Sequence, residues 1–347
     1  MEKIISDLFD ELHSNPEESE KEIKTKEIIK NFIKNNTDFE IFDLDGGFYC
    51  TYINKNNKKN ILVRTDYDAV SNGETPRHLC GHDGHTAALC ALLYKVYKNG
   101  CDNNVYFLFQ GAEENGCGAK KCMDVFKNNI DEAYGVHNLP GFEFGKIYTS
   151  LDTFALASCG LGLVFEGKPS HAAYPENGIS PCNALFKIVE YLNCHNVDGN
   201  MSTICGGNFG PRNFGTSAHN GEIYMTLRST SFEKLKKFKN DIISLATKLA
   251  QNDGLELRCE SDDVFPDVTN NSDCAKKILD LMDGVLLESP MRWSEDFGWY
   301  LKENKGAFMG VGAGNIPALH TKDYCYPKEL IEITANKLFC LVSNKIE

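Results

Sequence analysis

The residues with the most evident chemistry lie in one short stretch, Cys80-Gly81-His82-Asp83-Gly84-His85. It contains a thiol and two imidazoles, which are donor groups that zinc-like ions bind. Cys80 and His82 are two residues apart, so both can point into one site only from an irregular loop or a turn, and Gly81 allows such a turn. Small and apolar residues follow, which predicts that a loop enters a helix here. We interpret the stretch as half of a metal site.

Two further segments can complete that site. The pair Glu113-Glu114 follows an apolar run, and His137 follows another. Adjacent residues in an extended chain point in opposite directions, so one carboxylate can bind metal while the other faces a substrate as a general base. Alone, a glutamate pair is usually a solvated charge pair, and a histidine can simply end a strand. Together these donors exceed what one tetrahedral zinc needs, which indicates two metals with an open position for water.

The elements that must position these residues alternate between strands and helices. This alternation predicts an α/β fold with a mostly parallel sheet, in which ligands bind beyond the carboxyl ends of the strands. The apolar runs that predict the strands are residues 61–63, 105–109, 133–136 and 307–311. The acidic and histidine side chains that fall at those ends are Asp66, Asp68, Glu113, Glu114 and His137.

The pattern changes near Ser158. From there the predicted order is strand, helix, strand, strand, helix, strand, which is typical of an α+β ferredoxin-like module. The predicted elements are residues 161–165, 181–193, 201–205, 222–228, 232–251 and 255–260. We therefore predict a discontinuous metal-binding domain, residues 1–157 and 268–347, interrupted by an inserted domain, residues 158–267.

Composition excludes several classes of protein. The chain has 347 residues, with 36 basic and 49 acidic side chains and a net charge of −13. No basic stripe is present, so nucleic-acid binding is not expected. No run of roughly 18 apolar residues is present, so no membrane span is expected. Most of the 14 cysteines lie in apolar runs, and disulfide frameworks belong to short secreted chains. We predict a cytoplasmic protein with reduced thiols.

Motifs along nearly the whole chain occur in the order found in one enzyme family. They are Arg64-Thr65-Asp66-Tyr67-Asp68-Ala69, Cys80-Gly81-His82-Asp83-Gly84-His85, Gly111-Ala112-Glu113-Glu114, Gly135-Val136-His137-Asn138, Ser170-His171-Ala172-Ala173-Tyr174-Pro175, Ser294-Glu295-Asp296-Phe297 and Ala318-Leu319-His320. The combination resembles the M20 metallopeptidase family, in the amidohydrolase branch that includes N-acyl-amino-acid, hippurate and indoleacetyl-amino-acid hydrolases. No single motif is specific, but the set is.

The resemblance implies a role for each matching residue. The implied ligands of a centre of two divalent ions (zinc, manganese, cobalt or nickel) are Cys80, His82, Glu114, His137 and His320. Glu113 matches the general base that takes a proton from the attacking water. His171 matches a histidine of the lid domain that helps to hold the oxyanion and, in dimeric relatives, reaches the partner's site. A homodimer through the inserted domain, acting as a lid, is expected on the same basis.

Other assignments are weaker. Asn213 and Arg228 resemble residues that contact the substrate carboxylate, and Gly312 and Gly314 resemble a substrate-binding glycine loop. The usual asparagine–apolar–proline segment of the lid is replaced by Asn213-Phe214-Gly215-Thr216, so the preferred substrate stays open. Six further residues are expected near the site without binding metal. Asp68 and Asp83 are expected to orient ligand imidazoles. Glu295 and Asp296 are expected to line the site or to cap a helix, and His78 and His85 to lie nearby.

The expected function is metal-dependent hydrolysis of the amide bond of an N-acyl amino acid or a similar small amide. Alternatives within the same family are an N-acetyl-diaminopimelate deacetylase, a dipeptidase and an aminopeptidase. Two other classes stay open: a non-catalytic metal-binding protein, and a cysteine hydrolase that pairs Cys80 with His82 or His85.

Overall fold

The computed structural model describes residues 2–54, 58–71 and 75–344. Contacts divide the chain into two compact units. The first unit comprises Met1–Phe154, Val268–Pro290 and Glu295–Glu347, and the second comprises Ala155–Asp267 and Met291–Ser294. The exact boundaries of the predicted domains, and the role of the inserted one as a lid and dimerisation domain, stay predictions.

The regular elements of the described residues are as follows. The strands are β1 (Ile41–Leu44), β2 (Gly47–Tyr52), β3 (Asn60–Asp66), β4 (Asn104–Gln110), β5 (Glu132–Leu139), β6 (Ile147–Thr149), β7 (Thr153–Ala155), β8 (Ala157–Glu166), β9 (Met201–Asn208), β10 (Asn220–Ser229), β11 (Glu256–Phe265), β12 (Val268–Thr269), β13 (Val285–Leu286) and β14 (Gly306–Gly312). The α-helices are α1 (Lys3–His13), α2 (Ile23–Asn36), α3 (His82–Asn99), α4 (Gly118–Cys122), α5 (Cys182–Cys194), α6 (Phe232–Asp253), α7 (Ser272–Met282), α8 (Gly298–Glu303) and α9 (Glu329–Ser343).

The first unit is built on an eight-stranded sheet, counted over the described residues, in the order β1-β2-β4-β3-β5-β14-β6-β13. At its centre, β3 pairs in parallel with both β4 and β5, and β5 pairs in parallel with β14. Antiparallel pairing occurs towards the edges, between β1 and β2, β2 and β4, and β6 and β14. All residues of β4 and β5 are buried, as expected where both faces of a parallel sheet are covered. The predicted α/β class with a mostly parallel sheet is confirmed.

Helices of the first unit bury apolar faces in one core. The inward face of α1 carries Ile5, Leu8, Phe9 and Leu12, and these side chains join the core cluster that includes α3 and α9. Burying each such side chain fully contributes roughly 1.5–3 kcal/mol. In the N-terminal region, α1 and α2 are joined by residues 14–22, which we call the connecting segment.

The second unit contains an antiparallel four-stranded sheet in the order β11-β8-β10-β9. Burial alternates along β10, because successive side chains of a strand point to opposite faces. Its inward residues Ile223, Met225 and Leu227 share a core cluster with residues of α5 and α6. The chain order β8-α5-β9-β10-α6-β11 is that of a ferredoxin-like module, which confirms the predicted inserted α+β fold.

Over the described residues, no helix has both the length and the apolar character needed to span a bilayer.

Candidate metal centre

The loop before α3 depends on a glycine. Gly81 has a φ of +96°, in the left-handed region that favours glycine. A Cβ at this position would lie 2.5 Å from Tyr324 Oη and 2.6 Å from Asn138 Oδ1. This backbone conformation places Cys80 just before the helix and His82 at its first residue. The sequence-based expectation that Gly81 allows an irregular turn therefore has a direct steric basis.

Cys80, the nearby His82 and the distant His137 bring their donor atoms together. Sγ of Cys80 lies 3.3 Å from Nε2 of His137, at the carboxyl end of β5. The donor atoms of Cys80, His82 and His137 all lie within 4.8 Å of one another, and all three residues are buried. A thiolate and two imidazoles at this spacing form a donor set suited to zinc-like ions.

The ring of His82 is held by Asp68. Nδ1 of His82 donates to Asp68 Oδ1 and to Asp68 O, each at 3.0 Å. With the proton on Nδ1, the lone pair is on Nε2, which lies 3.9 Å from Glu113 Oε2 and 3.7 Å from Glu114 Oε1. A histidine whose other nitrogen is fixed in this way is oriented to bind a metal. The predicted orienting role of Asp68 fits this geometry.

His137 is held by a similar arrangement. Its Nδ1 donates to the carbonyl oxygen of Asn138 at 2.8 Å, which leaves Nε2 as the nitrogen beside Cys80. Burial, followed by the nearby His85, lowers the pKa of His137 well below its ordinary value. A neutral imidazole is the form that binds a metal ion.

A second group of donors consists of Cys80, Glu114 and His320, whose donor atoms also lie within 4.8 Å of one another. Nε2 of His320 is 3.5 Å from Glu114 Oε1. His320 has a φ of +60°, which is uncommon outside glycine, and its N–H donates to Leu79 O at 2.8 Å. Residues held in this region concentrate at functional sites. Cys80 thus belongs both to this group and to the group that it forms with His82 and His137.

Glu113 lies beside these donors in a strongly acidic environment. It is buried, and its oxygens lie within 4.8 Å of donor atoms of Glu295 and Asp296. The N–H of Asp296 donates to Glu113 Oε1 at 3.4 Å. Burial, together with the charges of Glu295 and Glu114, raises the pKa of Glu113 well above its ordinary value. A divalent cation among these groups would act in the opposite direction, since positive charge favours the carboxylate.

Two buried atoms test whether the residues fit a metal ion. Nε2 of His82 and Oε1 of Glu114 make no hydrogen bond within the described residues, although almost no surface of either atom is exposed. Both atoms belong to the donor groups described above. Buried polar atoms without partners are costly, and coordination of a cation would satisfy both. The donor set therefore fits one or more divalent ions.

A buried arginine network, to which the sequence assigned no role, lies under the acidic side of the site. Arg64 is fully buried at the end of β3. Its guanidinium donates to Gln110 Oε1 at 2.9 Å, to Asp66 Oδ2 at 2.9 Å and to Asp296 Oδ1 at 2.7 Å. It also lies 3.0 Å from Glu295 Oε1. Burial raises the pKa of Glu295 to about 8 and that of Asp296 to about 6, although the positive charge of Arg64 acts to lower both.

The remaining polar residues near the site have protein partners. His85 donates from Nδ1 to Asp66 Oδ1 at 2.8 Å, and its Nε2 lies 2.7 Å from Asn138 Oδ1, which fits the expectation that His85 is near the site without binding metal. His78 donates from Nε2 to Leu12 O at 3.2 Å. Oδ2 of Asp83 accepts from Nδ1 of His13, the last residue of α1, at 2.6 Å, and its role in orienting a ligand imidazole stays a prediction.

The candidate residues of the second unit have different surroundings. His171 is exposed and its Nδ1 accepts from the N–H of Ala173 at 3.0 Å. Asn213 is also exposed, and its Oδ1 accepts from the N–H of Gly215 at 2.8 Å. Arg228, on β10, is partly buried and donates to Ser294 Oγ at 2.7 Å. Burial lowers its pKa.

The two glycines predicted to bind substrate have a clear packing function. A Cβ on Gly312 would lie 1.9 Å from Glu143 O. Gly314 has a φ of +77°, and its carbonyl accepts from the N–H of Gly141 at 2.8 Å. Both glycines therefore allow the chain after β14 to lie directly against residues 141–146. A contact with substrate stays a prediction.

Comparison with known proteins supports the sequence resemblance. The family described as Peptidase family M20/M25/M40 matches residues 62–344. The chain is 29% identical to an N-acetyldiaminopimelate deacetylase of Lactococcus lactis subsp. cremoris, over 94% of this chain and 95% of the relative. It is 25% identical to a hippurate hydrolase of Campylobacter jejuni, over 94% and 92% respectively. Among solved structures, a dinuclear metal-binding peptidase of the M20 family from Bacillus subtilis superposes with a TM-score of 0.82 at 21% identity, covering 98% of this chain and 96% of that one.

Proposed function

Because this chain belongs to the M20/M25/M40 peptidase family, whose members are metal-dependent hydrolases of amide bonds, we propose that it removes the acyl group from N-acylated amino acids. The observation that carries the proposal is that Cys80, His82, Glu114, His137 and His320 form overlapping donor groups beside Glu113, in which Cys80, His82 and His137 are buried, Glu114 is half-buried and His320 is exposed. The chemistry requires metal donors and a carboxylate base together, and this site supplies both.

The chain's own residues would divide the work as follows. Bound divalent ions would polarise the amide carbonyl and lower the pKa of an attacking water. Glu113 takes a proton from that water and passes it to the leaving amine. Its Oε2 lies 3.9 Å from His82 Nε2, so the base is beside the donors. Asp68 and the Asn138 carbonyl keep the imidazoles of His82 and His137 in the tautomers that place Nε2 towards the site.

We propose further roles for residues of the second unit. His171 stabilises the oxyanion that forms as the water attacks. Arg228 and Asn213 bind the substrate carboxylate, for which a partly buried guanidinium is well suited. We also propose a homodimer that forms through this unit, located in the cytoplasm, with two ions of zinc, manganese, cobalt or nickel in each site. Cys80 as a ligand favours the softer ions of this group.

A second candidate is N-acetyl-diaminopimelate deacetylase. The observation that favours it is the match to the Lactococcus lactis deacetylase over nearly the full length of both chains. The hippurate hydrolase of Campylobacter jejuni matches over a similar length, which favours a benzoyl amino acid instead. The two candidates share the same metal donors and base, so substrate profiling separates them.

The test is hydrolysis of a panel of acyl compounds by metal-stripped protein refilled with Mn²⁺ or Zn²⁺. The panel contains N-acetyl-, N-benzoyl- and indoleacetyl-amino acids and N-acetyl-diaminopimelate, and metal content is measured alongside. We expect metal-dependent release of the free amine from one group of compounds. Stoichiometric metal without turnover of any acyl compound would contradict the proposal. Activity that survives chelation would instead support a cysteine hydrolase.

A further inference from the structure

The connecting segment, residues 14–22, is held against the loop that follows β3. The N–H of Ala69 donates to Glu17 O at 2.8 Å, and Glu18 and Ala69 form a parallel bridge. The Glu17 carboxylate also accepts from the backbone N–H of Lys24 at 3.2 Å and of Thr25 at 2.8 Å, in the first turn of α2. These bonds fix the path of the connecting segment between α1 and α2.

One side chain of the connecting segment reaches Asp68. Oγ of Ser19 donates to Asp68 Oδ2 at 2.7 Å. The same oxygen accepts from the backbone N–H of Glu114 at 3.0 Å, while Oδ1 accepts from Nδ1 of His82. Asp68 therefore contacts two candidate ligands, and Ser19 supplies one of the donors that set its orientation.

A second side chain of the connecting segment, that of Glu22, bonds to Ala112, the residue before the proposed base Glu113. Glu22 is 9% exposed, and its Oε1 accepts from the N–H of Ala112 at 2.7 Å. Ala112 has a φ of +53°, in the left-handed region that residues with a Cβ rarely adopt. Because Ala112 directly precedes Glu113, its conformation determines the direction in which the Glu113-Glu114 pair leaves β4.

We propose that Ser19 and Glu22 are positioning residues of the site. Ser19 holds Asp68 and through it the two ligands His82 and Glu114, whereas Glu22 holds Ala112 and so aims Glu113. The inference rests on the proposed function, because it assigns Glu113 the role of base and His82 and Glu114 the role of ligands. It predicts separate effects: Ser19 acts on metal affinity, and Glu22 acts on proton transfer.

The Glu22 part is tested with E22A, E22Q and the control E27A, in the full chain loaded with Mn²⁺. We expect E22A to lower kcat about 10- to 100-fold, the usual range for a partner of a ligand or base. KM and bound Mn²⁺ stay as in the wild type. E22Q recovers most of the activity, since its amide oxygen can accept the same N–H. Glu27 is exposed on α2, so E27A behaves as the wild type.

The Ser19 part is tested with S19A, S19T and the control S14A, by titrating metal-free protein with Co²⁺. The thiolate-to-cobalt absorption that Cys80 would produce reports binding without relying on activity. We expect S19A to weaken Co²⁺ affinity about 10-fold. S19T keeps a hydroxyl and restores it. Ser14 Oγ donates to Asp10 O at the end of α1 and so does not contact Asp68, and S14A therefore leaves affinity unchanged.

The outcomes separate this inference from the function it rests on. If the wild type binds Co²⁺ and hydrolyses an acyl compound while E22A and S19A match it, the positioning roles are wrong. If E22A loses activity together with thermal stability and E22Q does not recover it, Glu22 is structural and its positioning role is also wrong. If the wild type itself neither binds metal nor hydrolyses any compound, the proposed function fails.

Discussion

In the first unit, Asp68, His82 and Arg64 are buried and hydrogen-bonded to other side chains. In the second unit, His171 and Asn213 are exposed and bond to neighbouring backbone. Arg64 in the first unit and Arg228 in the second show the same contrast. Arg64 contacts several carboxylates within the protein, while Arg228 donates to a serine hydroxyl. The first unit therefore fixes its groups before any ligand arrives. His171 and Asn213 of the second unit carry no comparable internal network within the described residues, which fits the proposal that they engage a substrate.

The strongest test of this contrast between the two units is to replace Glu113, the proposed base. E113Q should lower kcat by a factor of roughly 10² to 10⁴, because the amide cannot accept the proton of the attacking water. Metal content should not change, since the donors remain. Hydrolysis and metal analysis of the same sample measure both quantities, and E143Q, at an exposed position, is the control. Unimpaired turnover by E113Q would remove Glu113 from the mechanism.

Breaking the arginine network should unfold the first unit more easily. R64M leaves Asp66, Glu295 and Asp296 without their shared counter-charge, and losing one partner of a buried ion pair costs about 3–5 kcal/mol. Urea denaturation measures the loss. R258A removes an exposed arginine of the second unit and should change the free energy of unfolding by less than about 1 kcal/mol. Equal effects of the two variants would contradict the contrast drawn above.

For His171 we expect the opposite of Arg64, namely an effect on the rate of hydrolysis without an effect on stability. H171A should reduce kcat by about 10²- to 10³-fold if the imidazole stabilises the oxyanion. Its side chain is exposed, so the midpoint of thermal unfolding and the metal content should not change. H195A, another exposed histidine of the second unit, serves as the matched control. A variant with normal kcat would assign His171 to the turn that it occupies.

Acid should weaken a charged cluster of the first unit away from the site. Glu132 is partly desolvated, which raises its pKa, but bonds from Lys59, Tyr134 and Lys277 outweigh this and lower the pKa from 4.5 to about 2. A depressed carboxyl pKa stabilises the fold above the unfolded value and ceases to do so as pH falls through the folded value. E132Q should therefore cost about 1–3 kcal/mol at pH 7 and almost nothing near pH 2.

The Glu132 prediction is checked by urea denaturation at several pH values between 2 and 7. E233Q removes an exposed carboxylate of the second unit and should give the wild-type pH dependence. A pH-independent deficit in E132Q would show that lost packing, rather than charge, explains its effect.

Sequence predicted the fold class and the groups that meet at the strand ends, because apolar runs and strand-end polar residues are local signals. Cys80, His82, Glu113, Glu114 and His137 are readable in this way, and the structure brings them together. His320 was expected only through the family resemblance, since it joins the site from a distant part of the chain.

The supporting contacts could not be predicted, because they depend on which side chains of different elements face each other. Arg64 was visible in a motif, but its partners Glu295 and Asp296 are distant in sequence. His13 pairs with Asp83 for the same reason, and Ser19 and Glu22 were not recognised. The short strand β1 was also missed, since its four residues include Asp43 and its burial pattern is irregular. Ser19 and Glu22 lie shortly before α2, and a polar residue in such a position is a weak signal on its own.

The discontinuity of the first unit has a consequence for synthesis of the protein. Arg64 leaves the ribosome long before Glu295 and Asp296, which complete its surroundings, and Cys80 leaves it long before His320. The second unit is continuous except for residues 291–294, so most of it can fold while the first unit still lacks its last segments. During that interval the guanidinium of Arg64 lacks two of its carboxylate partners. A nascent chain therefore cannot complete the proposed donor set until translation has passed residue 320, so loading of the proposed metal ions would be a late event in the life of each molecule.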